Sequence, residues 1–273
     1  AVLNTMDYLE KCGFEVVRIA PRSDGSIRFT DIADEITPDT CLVSVMHVNN
    51  ETGSIMPVEK LGSIIKRIAP RALFHVDAVQ SFGHIPFKPA MWGIDLASIS
   101  SHKIHGPKGI GALYIRKSVT LKPTVFGGGQ EKNIRSGTEN VGAIAGFAKA
   151  CSLINYADNQ RVQEIKDYML KSLFKIEGTV HNGGGENESP YILNISFGDI
   201  RSEIMLNALS GEGIYVSSGS ACAKGAHGSH VLKEMNAQKP DSAIRFSFSR
   251  YNTLEEAKTA VEKITEIEKG LRR

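Results

Sequence analysis

The sequence predicts an α/β fold with a mostly parallel sheet and flanking helices, followed by a smaller α+β domain. Short apolar runs alternate with amphipathic runs in the first half, which is the pattern of βαβ units. Near residue 141 this pattern gives way to longer helical runs and separated strands. The 273 residues are enough for one large domain or two ordinary ones.

The elements of the first part follow in order along the chain. The N-terminal run AVLNTMDYLEKCGFEV predicts an amphipathic helix that leads into a strand. Helical spacing in KLGSIIKRIA (60–69) predicts a helix that ends before Pro70. Short buried strands are predicted at CLVSVMHV (41–48), ALFHVDAV (72–79), DLASIS (95–100) and IGALYIR (110–116). We place the large domain at residues 1–150.

The second part, residues 151–273, is predicted to form the small domain. Its strands are YILNISF (191–197) and AIRFSFS (243–249), and HNGGGENESP (181–190) is a glycine-rich turn. Helices are predicted from about residue 141 onward at VGAIAGFAKACSLI, RVQEIKDYMLKSLFKI, RSEIMLNALSGEG and TLEEAKTAVEKITEIEKGL.

Composition narrows the class of protein. The chain has 41% hydrophobic and 23% charged residues, which is typical of a globular protein. Its net charge of +2 gives no reason to expect nucleic acid or an anionic membrane as a partner. No apolar run is long enough to span a bilayer. The four cysteines are widely spaced and contain no C-x-x-C pair. This spacing argues against a disulfide framework, and we expect the protein to be located in the reducing cytoplasm. His102 and His105 lack the glutamate of a metal-binding motif, so no metal site is predicted.

Polar residues follow the predicted strands where ligands of parallel sheets bind, beyond the carboxyl ends. Taken singly, each has an ordinary interpretation. Asp77 is typical of a turn or helix cap, a loop lysine such as Lys103 is usually a solvated charge, and Cys222 can be a small buried apolar residue. Together they meet the needs of pyridoxal 5'-phosphate, which requires a lysine for a Schiff base and a carboxylate at its pyridine nitrogen. Hydroxyl donors for the phosphate and an arginine for a substrate carboxylate complete the set.

Six segments then carry a resemblance to a known family. In order along the chain they are MHVNNETG, FHVDAVQSFG, SSHKIHGPKGIGALY, FGGGQEKNIRSGTEN, SSGSACA and AIRFSFSRYNT. They resemble the cysteine desulfurases of the NifS/IscS type, which are class V aminotransferase-like, pyridoxal-phosphate-dependent enzymes of fold type I. The resemblance covers essentially the whole chain, and SSGSAC is its most specific motif.

The resemblance implies a role for each matching residue. Lys103 bonds covalently to the cofactor and moves protons, and Cys222 accepts the sulfur of L-cysteine as a persulfide. The remaining roles fall to residues that bind the ring (Asn49, Asp77, Gln80), the phosphate (Ser100, His102, and Thr138 toward the partner subunit of a homodimer) and the substrate (Asn49, Arg245). The sulfur would pass to an iron–sulfur scaffold protein or a tRNA-thiolation carrier. Lys108 is predicted to be structural.

The resemblance also implies that family members have roughly a hundred residues before the position of Ala1, in keeping with ordinary domain sizes. That part would hold a phosphate loop and a histidine that stacks on the cofactor, and a cleaved N-terminal piece is a predicted partner. Two alternatives stay open at this point: an inactive or nicked fragment that acts only as a dimerisation or binding module, and another enzyme of the same fold, such as a selenocysteine lyase.

Overall fold

The computed structural model describes residues 2–185, 187–219 and 228–271, which contain two sheets, each with its own apolar core. Strands β1, β2 and β3 of the first sheet are parallel, and β4 is antiparallel to β3. The four strands lie side by side in chain order: β1 (Leu42–Met46), β2 (Leu73–Asp77), β3 (Leu96–Ser100) and β4 (Gly111–Ile115). The predicted, mostly parallel first sheet is confirmed. The prediction that its fourth strand is buried is wrong, since Leu113 of β4 is 44% exposed.

Alternation along the strands gives the first sheet two different faces. Phe74 and Val76 of β2 are fully buried, and they pack with the apolar face of α3 (Val58–Ile68). His75 and Asp77 point to the other face, which is half-buried, because successive side chains of a strand alternate. The polar groups of β2 therefore lie on the face opposite the core.

The N-terminal segment agrees only in part with the prediction. Helix α1 (Val2–Lys11) forms, and a second short helix, α2 (Phe29–Ala33), follows it. The strand predicted after α1 is wrong, since residues 12–28 form none. Phe14 and Val17 are 52% and 54% exposed, so the apolar run that suggested a strand is not packed against a sheet.

The second sheet is antiparallel, and helices cover one of its faces. Its strands are β5 (Thr179–His181), β6 (Ile192–Phe197) and β7 (Ala243–Ser247), with β6 in the centre. The apolar core of this region joins the sheet to α5 (Asp158–Leu173), α6 (Ser202–Gly211) and α8 (Leu254–Leu271). No helix in the described part of the chain is long and apolar enough to cross a membrane. The domain boundary near residue 150 stays a prediction.

The opposite face of β6 is polar and meets the turn that follows β1. Asn194 is fully buried, and its side-chain Nδ2 donates a hydrogen bond of 3.1 Å to the carbonyl oxygen of Glu51. A second hydrogen bond, 2.9 Å long, runs from Asn182 Nδ2 to Asn194 Oδ1. Buried amides need such partners, and these contacts fix the second sheet against the carboxyl end of the first.

Asp95 fixes the end of the first sheet that lies away from the candidate site. It is 2% exposed and accepts hydrogen bonds from Phe74 N–H at 2.9 Å and Arg116 Nη1 at 3.2 Å, while Lys66 Nζ lies 2.9 Å away. Burial alone raises the pKa of Asp95, but the hydrogen bonds from Lys66 and Phe74 and the two charges bring that pKa below its ordinary value. The folded state therefore favours the carboxylate.

We expect Asp95→Asn to lower the free energy of unfolding at pH 7 by about 2 kcal/mol, because it leaves two partly buried cations without a counter-charge. A depressed pKa contributes stability above the ordinary pKa of the carboxyl group, and this is lost as pH falls through the folded-state value. The difference from wild type should thus shrink in acid. Urea unfolding midpoints at neutral and acidic pH check this, with the exposed Asp39→Asn as control. An undiminished difference in acid would contradict it.

Gly106 allows the chain to turn tightly after β3. A Cβ at this position would lie 2.2 Å from Ser101 Oγ and 3.2 Å from the Cβ of Ala150 in α4 (Val141–Ser152). We expect Gly106→Ala to destabilise the protein by about 1–3 kcal/mol through overpacking. Thermal unfolding checks this against Gly142→Ala, a helical glycine whose Cβ would meet only Asn140 Oδ1 at 3.9 Å. Equal melting temperatures for the two variants would refute it.

Candidate active site

The carboxyl ends of β2 and β3 lie side by side and bring several of the predicted residues together. Asp77 is paired in register with Ser98, and Ala78 N–H donates to the Ser98 carbonyl at 3.0 Å. Asp77 Oδ1 accepts a hydrogen bond from Val79 N–H at 3.0 Å, which orients the carboxylate and leaves its other oxygen for a ligand. The carboxylate is thus held at the sheet edge where the residues after β3 begin.

Lys103 lies in a single 3₁₀ turn, Ser101–Ile104, that follows β3 directly. Ser101 and Ile104 are buried at 0% and 4% exposure, and residues three apart share one face of such a turn. Lys103 is therefore directed away from this buried face, and it is half-buried. His105, in the left-handed conformation with φ of 66°, ends the turn, and Gly106 N–H donates to the Ser101 carbonyl at 3.0 Å. The turn thus holds Lys103 next to the end of β3.

Ser100 and His102 form a polar pair beside Lys103. Ser100 Oγ lies 2.7 Å from His102 Nδ1, and His102 is exposed. Partial burial, together with the charges of Lys103 and Lys108, lowers the pKa of His102 below its ordinary value. The neutral ring that results still has one N–H donor, so an anionic group at this position would meet a hydroxyl and an imidazole.

Asn49 lies in the turn after β1, which we name the NNE turn (residues 49–51). Its side-chain oxygen accepts hydrogen bonds from the N–H groups of Glu51 and Thr52, at 2.8 and 3.0 Å. Because both partners are donors, the amide oxygen must face the turn, and the NH₂ group is directed elsewhere. Asn49 therefore has its NH₂ group available as a donor, and its contact with the ring oxygen of the cofactor stays a prediction.

Arg245 of β7 reaches the same turn from the second sheet. Its Nη1 donates a hydrogen bond of 3.0 Å to the carbonyl oxygen of Asn50. Its backbone pairs with Ser217 through two hydrogen bonds of 2.7 and 3.2 Å. One residue therefore connects the NNE turn to the segment that leads toward Cys222.

The other three predicted residues are Gln80, Thr138 and Cys222. Gln80 is half-buried after β2, and its carbonyl oxygen lies 3.0 Å from His84 Nδ1. Thr138 is exposed on the loop before α4, and no hydrogen bond within the described residues joins it to the strand ends. Cys222 lies outside the described residues. The roles of all three stay predictions.

The residues at the strand ends fit pyridoxal 5'-phosphate by their chemistry. They supply a lysine amine, an oriented carboxylate on the neighbouring strand, a hydroxyl–imidazole pair and an amide donor. These match the aldehyde, the pyridine nitrogen, the phosphate and the ring oxygen of the cofactor, respectively. The in-register pairing of β2 with β3 supports this match, because it places the carboxylate and the lysine turn at one edge of the sheet.

Three residues that support this site have no role predicted from the sequence. His75 lies below Asp77 on the same face, 2.8 Å from Ser44 Oγ through Nδ1 and 3.0 Å from Ser98 Oγ through Nε2. Glu51 of the NNE turn is buried and hydrogen-bonded to Ser229. A serine before the helical run HVLKE is a typical N-cap pattern, and this signal could have drawn attention to Ser229. Nothing in the sequence indicates its contact with Glu51, which is 178 residues away.

Comparison with known proteins gives the family. A sequence model of the aminotransferase class-V family matches residues 1–259. The chain belongs to this family. Cysteine desulfurase IscS of Dictyoglomus turgidum is 40% identical over 279 aligned residues, which cover 100% of this chain and 70% of the relative. A NifS-like protein of known structure superposes with a TM-score of 0.90 at 39% identity, covering 97% of this chain and 71% of its own.

A further solved family member is described as SspA in complex with cysteine. It matches with a TM-score of 0.77 at 31% identity and covers 92% of this chain and 71% of its own. The predicted family and the predicted fold type I are confirmed. Both comparisons support cysteine desulfurase function, and neither favours a binding module or a selenocysteine lyase.

Proposed function

We propose that the chain is a cysteine desulfurase, which converts L-cysteine to L-alanine and holds the released sulfur on Cys222. The observation that carries the proposal is the position of Arg245. Its guanidinium reaches the NNE turn beside Asn49, and its backbone pairs with Ser217, which precedes Cys222 by five residues. This position supports the proposal, because an arginine that would bind a substrate carboxylate lies beside the strand ends and pairs with the segment that leads, in sequence, to Cys222.

Four groups would hold pyridoxal 5'-phosphate in this proposal. Lys103 would bond to the aldehyde carbon through Nζ, Asp77 would accept a hydrogen bond from the pyridine nitrogen, and Ser100 with His102 would bind the phosphate. Asn49 and Gln80 would donate toward the ring oxygen. When bound, the cofactor withdraws electrons from the substrate and so weakens its carbon–sulfur bond.

Lys103 and Arg245 act on the amino acid itself. Arg245 binds the α-carboxylate, for which its planar, two-pronged donor geometry is suited. Lys103 carries a proton to and from the substrate, and for this its amine must be neutral during part of the cycle. Its position in the fixed 3₁₀ turn after β3 holds the amine at the sheet edge.

Cys222 performs the sulfur transfer. Its thiolate attacks the sulfur of the bound cysteine, a sulfur–sulfur bond forms, and the carbon–sulfur bond breaks. The electron pair stays with the substrate carbon, which takes up a proton, so the products are L-alanine and a persulfide on Cys222. No external oxidant or reductant is needed for this step.

The cellular setting is also part of the proposal. We propose a homodimer in which Thr138 reaches the phosphate of the partner subunit, and a cytoplasmic location. The sulfur acceptor would be an iron–sulfur scaffold protein or a tRNA-thiolation carrier. The large domain would end near residue 150, and the small domain (151–273) would carry Cys222.

Product analysis tests the proposed activity. The purified protein, loaded with pyridoxal phosphate, is incubated with L-cysteine and a thiol reductant, and alanine, sulfide and keto acids are quantified. We expect alanine and sulfide in equal amounts. Keto acid without sulfide would indicate an aminotransferase, and selective release of selenide from selenocysteine would indicate a selenocysteine lyase. A stable dimer that binds no cofactor and forms no product would indicate a binding module.

A further inference from the structure

Glu51 is a buried carboxylate with an unusual environment. It is 5% exposed, and no ion pair within the described residues includes it. Its carboxylate accepts a hydrogen bond from the hydroxyl of Ser229, which is itself 7% exposed. A buried carboxylate is costly unless hydrogen bonds compensate for its lost hydration. The contact with Ser229 is therefore a strong constraint on both residues.

Glu51 lies between the two ends of the segment that contains Cys222. Gly219 precedes this segment, and a Cβ on it would lie 3.7 Å from Glu51 Oε2 and 3.7 Å from Ser229 Cβ. Ser229 follows the segment and begins helix α7 (His230–Glu234), where its Oγ accepts a hydrogen bond from Leu232 N–H at 3.0 Å. Residues 219 and 229 thus meet at the same carboxylate.

The backbone of Glu51 is hydrogen-bonded to residues of the candidate site and of the second sheet. Glu51 N–H donates to Asn49 Oδ1 at 2.8 Å, and its carbonyl oxygen accepts from Asn194 Nδ2 at 3.1 Å. The neighbouring carbonyl of Asn50 accepts from Arg245 at 3.0 Å. Glu51 therefore connects the predicted cofactor and substrate residues to both ends of the Cys222 segment.

We propose that Glu51 is a positioning residue for sulfur transfer. Its hydrogen bond to Ser229, beside Gly219, anchors the chain where it leaves the segment that contains Cys222, and sulfur transfer to Cys222 depends on this anchor. The proposal rests on the proposed function, in which Cys222 accepts the sulfur. It assigns Glu51 no contact with cofactor or substrate.

Single-turnover measurements on the cofactor-loaded protein test this. Persulfide on Cys222 is followed by peptide mass after mixing with L-cysteine, and Cys222 alkylation by iodoacetamide is followed without L-cysteine. We expect Glu51→Ala and Ser229→Ala each to slow persulfide formation about tenfold, the size expected for one buried charge-assisted hydrogen bond. The half-saturating cysteine concentration should not change. Alkylation of Cys222 should become faster, while that of Cys12 and Cys41 should not.

Two further comparisons separate positioning from general damage to the fold. The double variant should be no slower than the slower single variant, because each single change already removes the hydrogen bond between Glu51 and Ser229. Glu51→Gln should retain most of the rate, since its amide oxygen still accepts the hydroxyl hydrogen. Matched controls are Glu268→Gln, another buried glutamate, and Ser189→Ala, another buried serine that accepts a backbone hydrogen bond. Both should behave as wild type.

Each outcome bears on the proposal. Unchanged persulfide rates in Glu51→Ala, or effects of the two single changes that multiply in the double variant, would overturn it. If the wild type forms no persulfide, the proposed function fails. The alkylation rates of Cys222 then test the positioning role of Glu51 separately. Faster alkylation in Glu51→Ala and Ser229→Ala than in the controls supports the positioning role, and equal rates refute it.

Discussion

Replacing Lys103 with Ala is expected to lower alanine formation from L-cysteine by about 10³-fold or more, because one residue supplies both the covalent bond to the cofactor and the proton transfer. The structure provides the reason for this dependence. Lys103 is held at the edge of the first sheet by a turn that is anchored by the buried Ser101 and Ile104. Lys108, in the loop that follows, is exposed and does not belong to this turn.

Lys108→Ala is the matched control for this prediction. Lys108 belongs to the same loop, is exposed, and is predicted to be structural. Its removal should leave the rate within about twofold of wild type, as for most surface substitutions. Steady-state alanine formation, measured for both variants with added pyridoxal phosphate, checks the pair. A Lys103→Ala protein that keeps a tenth or more of the wild-type rate would contradict the assignment.

Replacing Cys222 with Ala is expected to abolish transfer of sulfur from L-cysteine to the protein while cofactor binding stays intact. The thiolate of Cys222 is the group proposed to take the sulfur, and none of the three described cysteines lies at the carboxyl ends of the strands: Cys12 and Cys41 are exposed, Cys41 precedes β1, and Cys151 is in α4. Labelling with sulfur-35 cysteine followed by peptide mapping checks this, with the visible absorption of the cofactor measured on the same sample.

Cys151→Ala is the control for the loss of a thiol as such. Burial raises the pKa of the Cys151 thiol, so it is mostly protonated at neutral pH and a poor nucleophile. We expect wild-type labelling in this variant. Labelled sulfur that remains on the Cys222→Ala protein would assign the transfer to a different thiol.

The sequence predicts β1 and β2 of the first sheet well because buried and less buried residues alternate along these strands. Apolar residues such as Phe74 and Val76 alternate with polar ones, and Asp77 falls at the strand end where ligands of parallel sheets bind. The turn at Lys103 is equally predictable, since Gly106 and Pro107 indicate a sharp change of direction.

The incorrect strand after α1 has a different physical cause. Its pattern is apolar, but strand formation depends on a neighbouring strand, and a pattern cannot say whether one is adjacent. The contacts of Glu51 and Arg245 are also beyond local patterns. They join residues more than 170 positions apart, and only the packing of the second sheet against the NNE turn brings them together.

Reduction with borohydride tests the central claim most directly, namely that Lys103 holds the cofactor. The protein is loaded with pyridoxal phosphate, reduced, digested and mapped by mass spectrometry. The account predicts a visible absorption that borohydride removes and a pyridoxyl phosphate mass fixed on the peptide that contains Lys103. A mass on any other lysine, or a protein that takes up no cofactor, would contradict it.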